Sequence, residues 1–411
     1  MEEFNDVSLT GPLGVAARLF RRLPLPASLA IGRSLGRVGY FVMSKKRKLV
    51  YANLKTAFCQ DRSPAELRRL SCQVFINLTQ SFVELMCIGK MKRIGFDSFV
   101  ELRGQSHVDQ AFAQGKGVIF LAIHSGNWEL GSVFNGLTGY TYNIVANQQP
   151  KMPQLGVLLN EARAMAGAHV IAPGVATKEI INALKRNEIL GLVLDQGGAD
   201  GVMVDLFGKP ASMSSGAVRL ALKYDVSICP AWITRQASGT HVLEFFPAIA
   251  LSKSGEIERD IQSNVQQATA VFEALLRKHP QEYLWFYKVY KYSTQAKVLL
   301  LTDDQAESSE ETTAKLDSLT DSLSKQGKKV EQVSVRVVFQ SRWTQEGFKV
   351  YALLAHFLGC LRNEDCLKLF LTADSYANLM KVKADHVVSS GKRLAAVNWI
   401  LAQNHQAASI T

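Results

Sequence analysis

Apolar and polar positions along this chain follow two periods, and each predicts its own kind of element. Between residues 49 and 92 apolar side chains recur at helical spacing, as in Val74, Phe75, Leu78, Phe82, Leu85 and Met86, the stripe by which a helix faces a core. Ser63-Pro64-Ala65-Glu66 predicts a helix start inside that stretch, with a capping box and proline in the first turn. Beyond it the pattern changes to short aliphatic runs bounded by glycine and polar residues: Phe99 to Leu102, Val118 to Ile123, Ile144 to Ala146, His169 to Ala172, Ile189 to Leu194 and Val226 to Ile233. These read as strands, and helical segments such as Thr177 to Lys185 and Gly216 to Tyr224 lie between them. The alternation predicts an α/β fold. Within it, Val118 to Ile123 reads as a central strand, followed by a turn at Ser125-Gly126-Asn127 and a helix from about Trp128, with Ser125 or Asn127 as N-cap.

Charge changes the picture at the N-terminus. Ten basic residues and no acidic one lie between Gly11 and Phe58, interleaved with Leu13, Val15, Leu19, Phe20, Leu29, Leu35, Val38 and Phe41. Prolines and arginines break the segment well short of the roughly 20 uncharged residues that span a bilayer. It predicts a helix pair lying on an anionic membrane surface, and the broken apolar core argues against a cleaved signal peptide. The chain has 411 residues and a net charge of +11. That balance calls for an acidic partner, which nucleic acid, an anionic membrane or an acidic carrier protein would all satisfy. Six cysteines without paired spacing fit a reducing compartment.

The candidate chemistry sits at the end of the central strand. His124 and, five positions later, Glu129 fall at its carboxyl edge, where open α/β sheets hold ligands. A neutral imidazole can take a proton from a hydroxyl while a carboxylate on its other ring nitrogen fixes the tautomer. On this reading Glu129 is the orienting carboxylate, and the nucleophile is a hydroxyl of the substrate. Arg163 can offer a fork to a phosphate or to a developing oxyanion. Asp195 and Gln196 end a buried strand, where a carboxylate must find a partner. Ser214 or Ser215 caps the next helix, and Lys209 is placed to touch phosphate or to be solvated. No Gly-x-Ser-x-Gly, Walker A or Gly-x-Gly-x-x-Gly string occurs, and the His124–Glu129 spacing is not that of a zinc helix, so no metal is expected.

His124-Ser-Gly-Asn-Trp-Glu129 resembles the first motif of the glycerolipid acyltransferase superfamily, in the wording of its lipid A branch. The resemblance continues in order through Asn160, Arg163 and Gly167, then Asp195-Gln196, Phe207-Gly-Lys-Pro-Ala211, Ser214 to Ala221 and Pro230. It closes at Pro280-Gln-Glu-Tyr-Leu-Trp-Phe286, covering roughly residues 12 to 293. It implies a glycerolipid-acyltransferase-like sandwich with His124 and Glu129 catalytic, and Arg163, Asp195, Gln196, Lys209 and Ser214 binding substrate. It also implies an acyl-carrier-protein or coenzyme A donor with no further cofactor, a glycolipid acceptor of the lipid A precursor type, and no nucleic acid. The site of action would be the cytoplasmic face of a bacterial inner membrane. Two departures concern the acceptor: Tyr287-Lys-Val-Tyr290 stands where His-x-Arg-Trp/Phe is common, and Gln148-Gln-Pro150 where an Arg-Pro dipeptide is expected.

Past Tyr292 the pattern restarts, with strands predicted at Lys297 to Thr302 and Val330 to Phe339 around a polar helix from Asp303 to Gln326. Ala384 to Asn398 reads as strand, Ser-Gly turn and helix, a geometry that can set amides against a phosphate. This last string resembles the mitochondrial-fission ELM-like family, implying a small, incomplete Rossmann-like domain that fits docking as well as a sugar-nucleotide site; His386 and Arg393 have no assigned role. The division expected is a membrane-contacting segment over 1–58, an acyltransferase domain over 59–293 and an accessory domain over 294–411. The competing readings are a catalytically silent membrane scaffold and a bifunctional enzyme with a glycosyltransferase half.

Overall fold

The computed structural model describes residues 11–145, 153–165, 167–171, 176–292, 295–303, 310–325, 329–337, 386–389 and 408–410. The chain opens with helices α1 (Gly11–Arg22), α2 (Leu25–Val42) and α3 (Ser44–Phe58), then α4 (Pro64–Met86) and α5 (Ile88–Ile94). The stretch expected to be helical over 49–92 is therefore three helices. At the start of α4 the Ser63 amide donates to Glu66 Oε2 at 2.8 Å and the Glu66 amide to Ser63 Oγ at 3.3 Å, the reciprocal cap that the Ser-Pro-Ala-Glu string predicts.

Strands and helices then alternate: β1 (Val100–Arg103), α6 (Gln105–Phe112), β2 (Val118–Ala122), α7 (Trp128–Phe134), β3 (Tyr142–Val145), α8 (Pro153–Met165), β4 (His169–Ile171), α9 (Ala176–Lys185) and β5 (Ile189–Val193). A two-stranded ribbon of β6 (Val202–Leu206) and β7 (Lys209–Met213) precedes α10 (Gly216–Tyr224), β8 (Ser227–Arg235), β9 (His241–Phe245) and α11 (Ile257–Lys278). The main sheet has seven strands in the order β1-β9-β8-β2-β5-β3-β4. β2 lies at its centre, parallel to both β8 and β5, while β8 and β9 form the antiparallel pair. Val118, Ile119, Phe120 and Leu121 are all buried, as suits a parallel strand covered on both faces, where a continuous aliphatic run replaces alternation.

By contacts the chain divides into two units. One comprises Met1–Val42, Cys72–Asp205 and Ser212–Leu284; the other comprises Met43–Ser71, Leu206–Ala211 and Trp285–Thr411. The first unit holds the seven-stranded sheet. Its α2 turns Ser28, Leu29, Gly32 and Gly36 inward. A Cβ on Gly36 would lie 2.6 Å from the Ile76 Cα, so only glycine lets α2 approach α4 this closely. In the second unit Asn53 donates to the carbonyls of Trp285 and Tyr287 at 2.9 and 2.8 Å, and the Phe58 ring packs 4.9 Å from Phe207. The second unit also carries a four-stranded parallel sheet, β11-β10-β12-β13, from β10 (Gln295–Asp303), β11 (Lys329–Val337), β12 (His386–Ser389) and β13 (Ala408–Ile410), with α12 (Glu310–Lys325) between the first two strands. The Ser-Gly turn and helix expected after Ser389, with Arg393, lie outside the described residues.

Among the described residues no single helix is long and apolar enough to cross a membrane. α4 and α5 meet that length and composition only together, across a bend of 62°.

Candidate active site

Strand register builds the site. β2 and β5 are parallel neighbours with Ala122 opposite Val193. His124 and Asp195 each lie two residues beyond that last pair, so the register carries them out of the sheet side by side. Asp195 Oδ1 sits 2.9 Å from His124 Nδ1, and its Oδ2 accepts from the His124 amide at 3.1 Å. This corrects the expectation that Glu129 orients the imidazole. A carboxylate on Nδ1 keeps the ring proton there and leaves Nε2 with the lone pair. Burial disfavours the charged ring, but the charge and hydrogen bond of Asp195, with the charge of Glu129, outweigh it and hold His124 above the ordinary histidine value.

The turn after the strand is fixed by close backbone approach. Gly126 has a φ of 59°, and a Cβ there would lie 2.3 Å from the Ile233 carbonyl oxygen. The Gly126 amide donates to the Glu282 carbonyl at 2.8 Å and the Leu284 amide to the His124 carbonyl at 2.9 Å. Of the two expected caps, Asn127 is the one used: its Oδ1 accepts from the Leu130 amide at 3.2 Å. The Ser125 hydroxyl is buried without a hydrogen-bond partner.

Glu129, one residue into α7, faces Arg163 of α8. The guanidinium donates from Nε to Oε2 at 3.1 Å and from Nη2 to both carboxylate oxygens at 2.9 Å. The edge of the fork expected to meet a phosphate or oxyanion is thus occupied by Glu129. Both side chains are almost fully withdrawn from water.

His124 opens into a cavity of about 250 Å³. Leu78, Phe82, Leu85, Leu155, Leu159 and Leu284 give it apolar walls, while Glu129 and Gln196 line it beside His124. The Trp128 ring stands edge-on to the imidazole, 5.3 Å between centroids. Such a cavity suits an aliphatic chain whose polar end stops at Nε2.

The structure therefore brings together His124, Glu129, Arg163, Asp195 and Gln196. Ser214 reaches this place through its backbone, its amide donating to the Leu194 carbonyl at 2.7 Å, and its hydroxyl accepts from the Gly216 amide at 3.4 Å. Ser215, at the N-cap position of α10, makes no side-chain cap bond. Lys209 lies in the second unit, its ammonium 5.7 Å from the Tyr290 ring. Among the described residues no group of three histidines, cysteines or carboxylates is arranged to hold a metal ion.

Sequence reasoning missed a second polar layer behind the turn. Glu84 of α4 and Arg235 at the end of β8 form a buried ion pair, with Oε1 and Oε2 accepting from Nε and Nη2 at 2.8 Å. Burial raises the carboxyl of Glu282 to about 7, against the pull of Arg235. Glu84 and Arg235 are 151 positions apart, and no local spacing could have joined them.

A family model for bacterial lipid A biosynthesis acyltransferases matches residues 13–292. The lipid A biosynthesis lauroyltransferase of Escherichia coli (strain K12) is 23% identical over 279 residues, 66% of this chain and 87% of that protein. The lipid A biosynthesis palmitoleoyltransferase of the same organism is 22% identical over 287 residues, 66% of this chain and 88% of the relative. A phosphatidylinositol mannoside acyltransferase of Mycobacterium tuberculosis (strain CDC 1551 / Oshkosh) is 24% identical over 187 residues, 44% of this chain and 56% of that protein.

Proposed function

This chain belongs to the bacterial lipid A biosynthesis acyltransferase family, and from that premise we propose that it transfers a fatty acyl group from a thioester donor to a hydroxyl of a glycolipid, with His124 as the general base. The observation that carries the reading is the His124–Asp195 pair at the mouth of an apolar cavity. The acceptor hydroxyl gives its proton to Nε2 as its oxygen attacks the thioester carbonyl. The new C–O bond forms a tetrahedral oxyanion. Its collapse breaks the C–S bond, and the departing thiolate takes the proton back from the imidazolium. Asp195 stabilises the imidazolium throughout, and a positioned base of this kind contributes about 10²- to 10⁴-fold. Glu129 and Arg163 together hold the cavity wall, while Gln196 and the Ser214 loop face the polar part of the substrates. The donor is acyl-carrier protein or acyl coenzyme A, both acidic partners for a basic chain.

A lipid A precursor is the first acceptor to consider, since two relatives are named for lipid A biosynthesis and match most of their length. A mannosylated phosphoinositide or other glycolipid is the second, favoured by the match to a phosphatidylinositol mannoside acyltransferase and by Tyr287-Lys-Val-Tyr290 in the closing block. The enzyme works at the cytoplasmic face of the bacterial inner membrane, docked through its basic N-terminal helices. The test is mass spectrometry of glycolipids from a host lacking late lipid A acylation that expresses the wild type or His124→Ala. One added acyl mass with the wild type alone is expected. The same added mass with His124→Ala would remove the proposed mechanism, and none with either would move the search to other glycolipids.

A further inference from the structure

Behind the turn that carries His124, one guanidinium at the end of β8 is held by three side chains of α4. Arg235 is 7% exposed at its side chain and Glu84 is 0% exposed. Besides its paired bonds to Glu84, Arg235 donates from Nη2 to Ser81 Oγ at 3.0 Å and from Nη1 to Asn77 Oδ1 at 3.2 Å. An ion pair withdrawn this far from water is a poor source of net stability, because desolvation cancels most of the attraction. What it can supply is a fixed arrangement of the groups bonded to it.

Two arms run from Arg235 to the catalytic turn. In the first, Glu84 Oε2 accepts from Asn127 Nδ2 at 2.7 Å, which turns the Asn127 oxygen toward the Leu130 amide and sets the start of α7. In the second, Asn77 Nδ2 donates to the Gln281 carbonyl at 2.9 Å. The residues that follow hold the turn, through the Gly126 amide on the Glu282 carbonyl and the Leu284 amide on the His124 carbonyl. His124 is thus gripped from the residue three positions after it and from the strand-like segment beside it, and both grips end on one guanidinium.

We infer that Arg235 is a positioning residue for the reaction, holding the His124 turn in register with Asp195 through Glu84–Asn127 on one side and Asn77–Gln281 on the other. The inference rests on the reading of His124 as general base, and it is tested by two measurements of which only one needs turnover. Acyl-transfer kinetics and the histidine titration, followed by NMR of carbon-labelled imidazoles, are compared in the wild type, Arg235→Lys, Asn77→Ala and Asn127→Ser. Lysine keeps the buried charge without the fork; serine keeps an acceptor for the helix cap but ends one bond short of the Asn127 Nδ2 that reaches Glu84. In folded Arg235→Lys and Asn77→Ala, kcat is expected to fall about 10- to 100-fold with KM for the donor changed less than about twofold, as for a misplaced base. The His124 titration midpoint should move down toward that of free histidine as its bond to Asp195 slackens. A merely structural role would lower the amount of folded protein but leave both readouts alone.

Folded variants with an unmoved His124 titration and a kcat within about twofold of wild type would overturn the inference. If Arg235→Lys does not fold, Asn77→Ala and Asn127→Ser decide it on the same readouts, each cutting one arm at a neutral side chain. If the wild type transfers no acyl group, the general-base reading fails on its own, and the titration shift still decides whether Arg235 positions the imidazole.

Discussion

A proton taken up by His124 places a charge inside the protein, and the group that compensates it is the buried carboxylate of Asp195, 2.9 Å from Nδ1. As the proposed base, His124 can work only while Nε2 is unprotonated, so kcat/KM should rise with pH through its raised titration and level off above it. Asp195→Asn keeps the size and removes the charge. The acid limb is then expected at lower pH, and the rate lower by about 10²- to 10⁴-fold, because an amide can present a donor to Nδ1 and reverse the tautomer. A pH–rate profile with an unmoved limb and a wild-type plateau would exclude Asp195 as the orienting group. The linkage also has a sign in stability: with its folded value raised, His124 contributes stability that is fully present below the unfolded value and lost as pH rises through the folded one. At this scale the place of His124, just beyond the end of a buried strand, was legible from the aliphatic run and the turn after it, but the partner of its ring was not. Asp195 is 71 positions away, and Glu129 and Asp195 are alike as carboxylates until the strand order says which one neighbours β2.

Glu129 belongs to the level of elements, where its bidentate pair with Arg163 ties α7 to α8. Side-chain exposures of 12% and 8% leave little water to screen either charge, so removing one partner strands the other. Glu129→Ala is expected to cost about 3–5 kcal/mol of unfolding free energy, and Glu129→Leu with Arg163→Met to recover most of that loss. Urea melts at unchanged slope would show it, and a single variant as stable as wild type would mean the pair is not holding the helices. Much of the main sheet was legible in the sequence, because β2 and its neighbour β5 are runs with no polar residue and the turn at Ser125-Gly126-Asn127 marks the start of α7. Two other parts were not. Strand β9 joins β1 in parallel with Val100 opposite His241, a pairing that no local pattern encodes. The β6–β7 ribbon was not read as strands, although Val204 and Leu206 on β6 and Ala211 and Met213 on β7 are buried two residues apart. Helix α11 is a different case, since Ile261, Val265, Ala268, Phe272 and Leu276 recur at helical spacing and are buried, so it is readable by the rule that predicts helix over 49–92.

For the whole molecule the governing quantity is where its positive charge and its uncovered apolar surface coincide. α2 is apolar on more than the face it buries. Beyond the inward stripe of small residues, Leu35, Val38, Phe41 and Val42 are 50% to 74% exposed, with Ile31 at 38% on the same side. At about 100° per residue Ile31, Leu35, Val38 and Val42 share one stripe, while Arg33 and Arg37 lie on the far side of the helix from it. A helix apolar beyond its packed face needs a second apolar medium, and the basic residues of the Gly11–Phe58 segment, with no acidic one among them, suit anionic headgroups, each worth about 1 kcal/mol near such a surface. The protein should therefore bind phosphatidylglycerol-containing vesicles in cosedimentation and bind neutral ones far less. Added salt should weaken the interaction, and charge reversal by Arg33→Glu with Arg37→Glu should reduce it by about tenfold or more. Leu35→Ser with Val38→Ser should weaken it at every salt concentration, since it removes the inserted surface and leaves the charge in place. His124→Ala lies outside this face and should bind vesicles as the wild type does. Equal binding to neutral and anionic vesicles, or wild-type binding after both pairs of substitutions, would assign the exposed stripe of α2 to something other than a lipid surface.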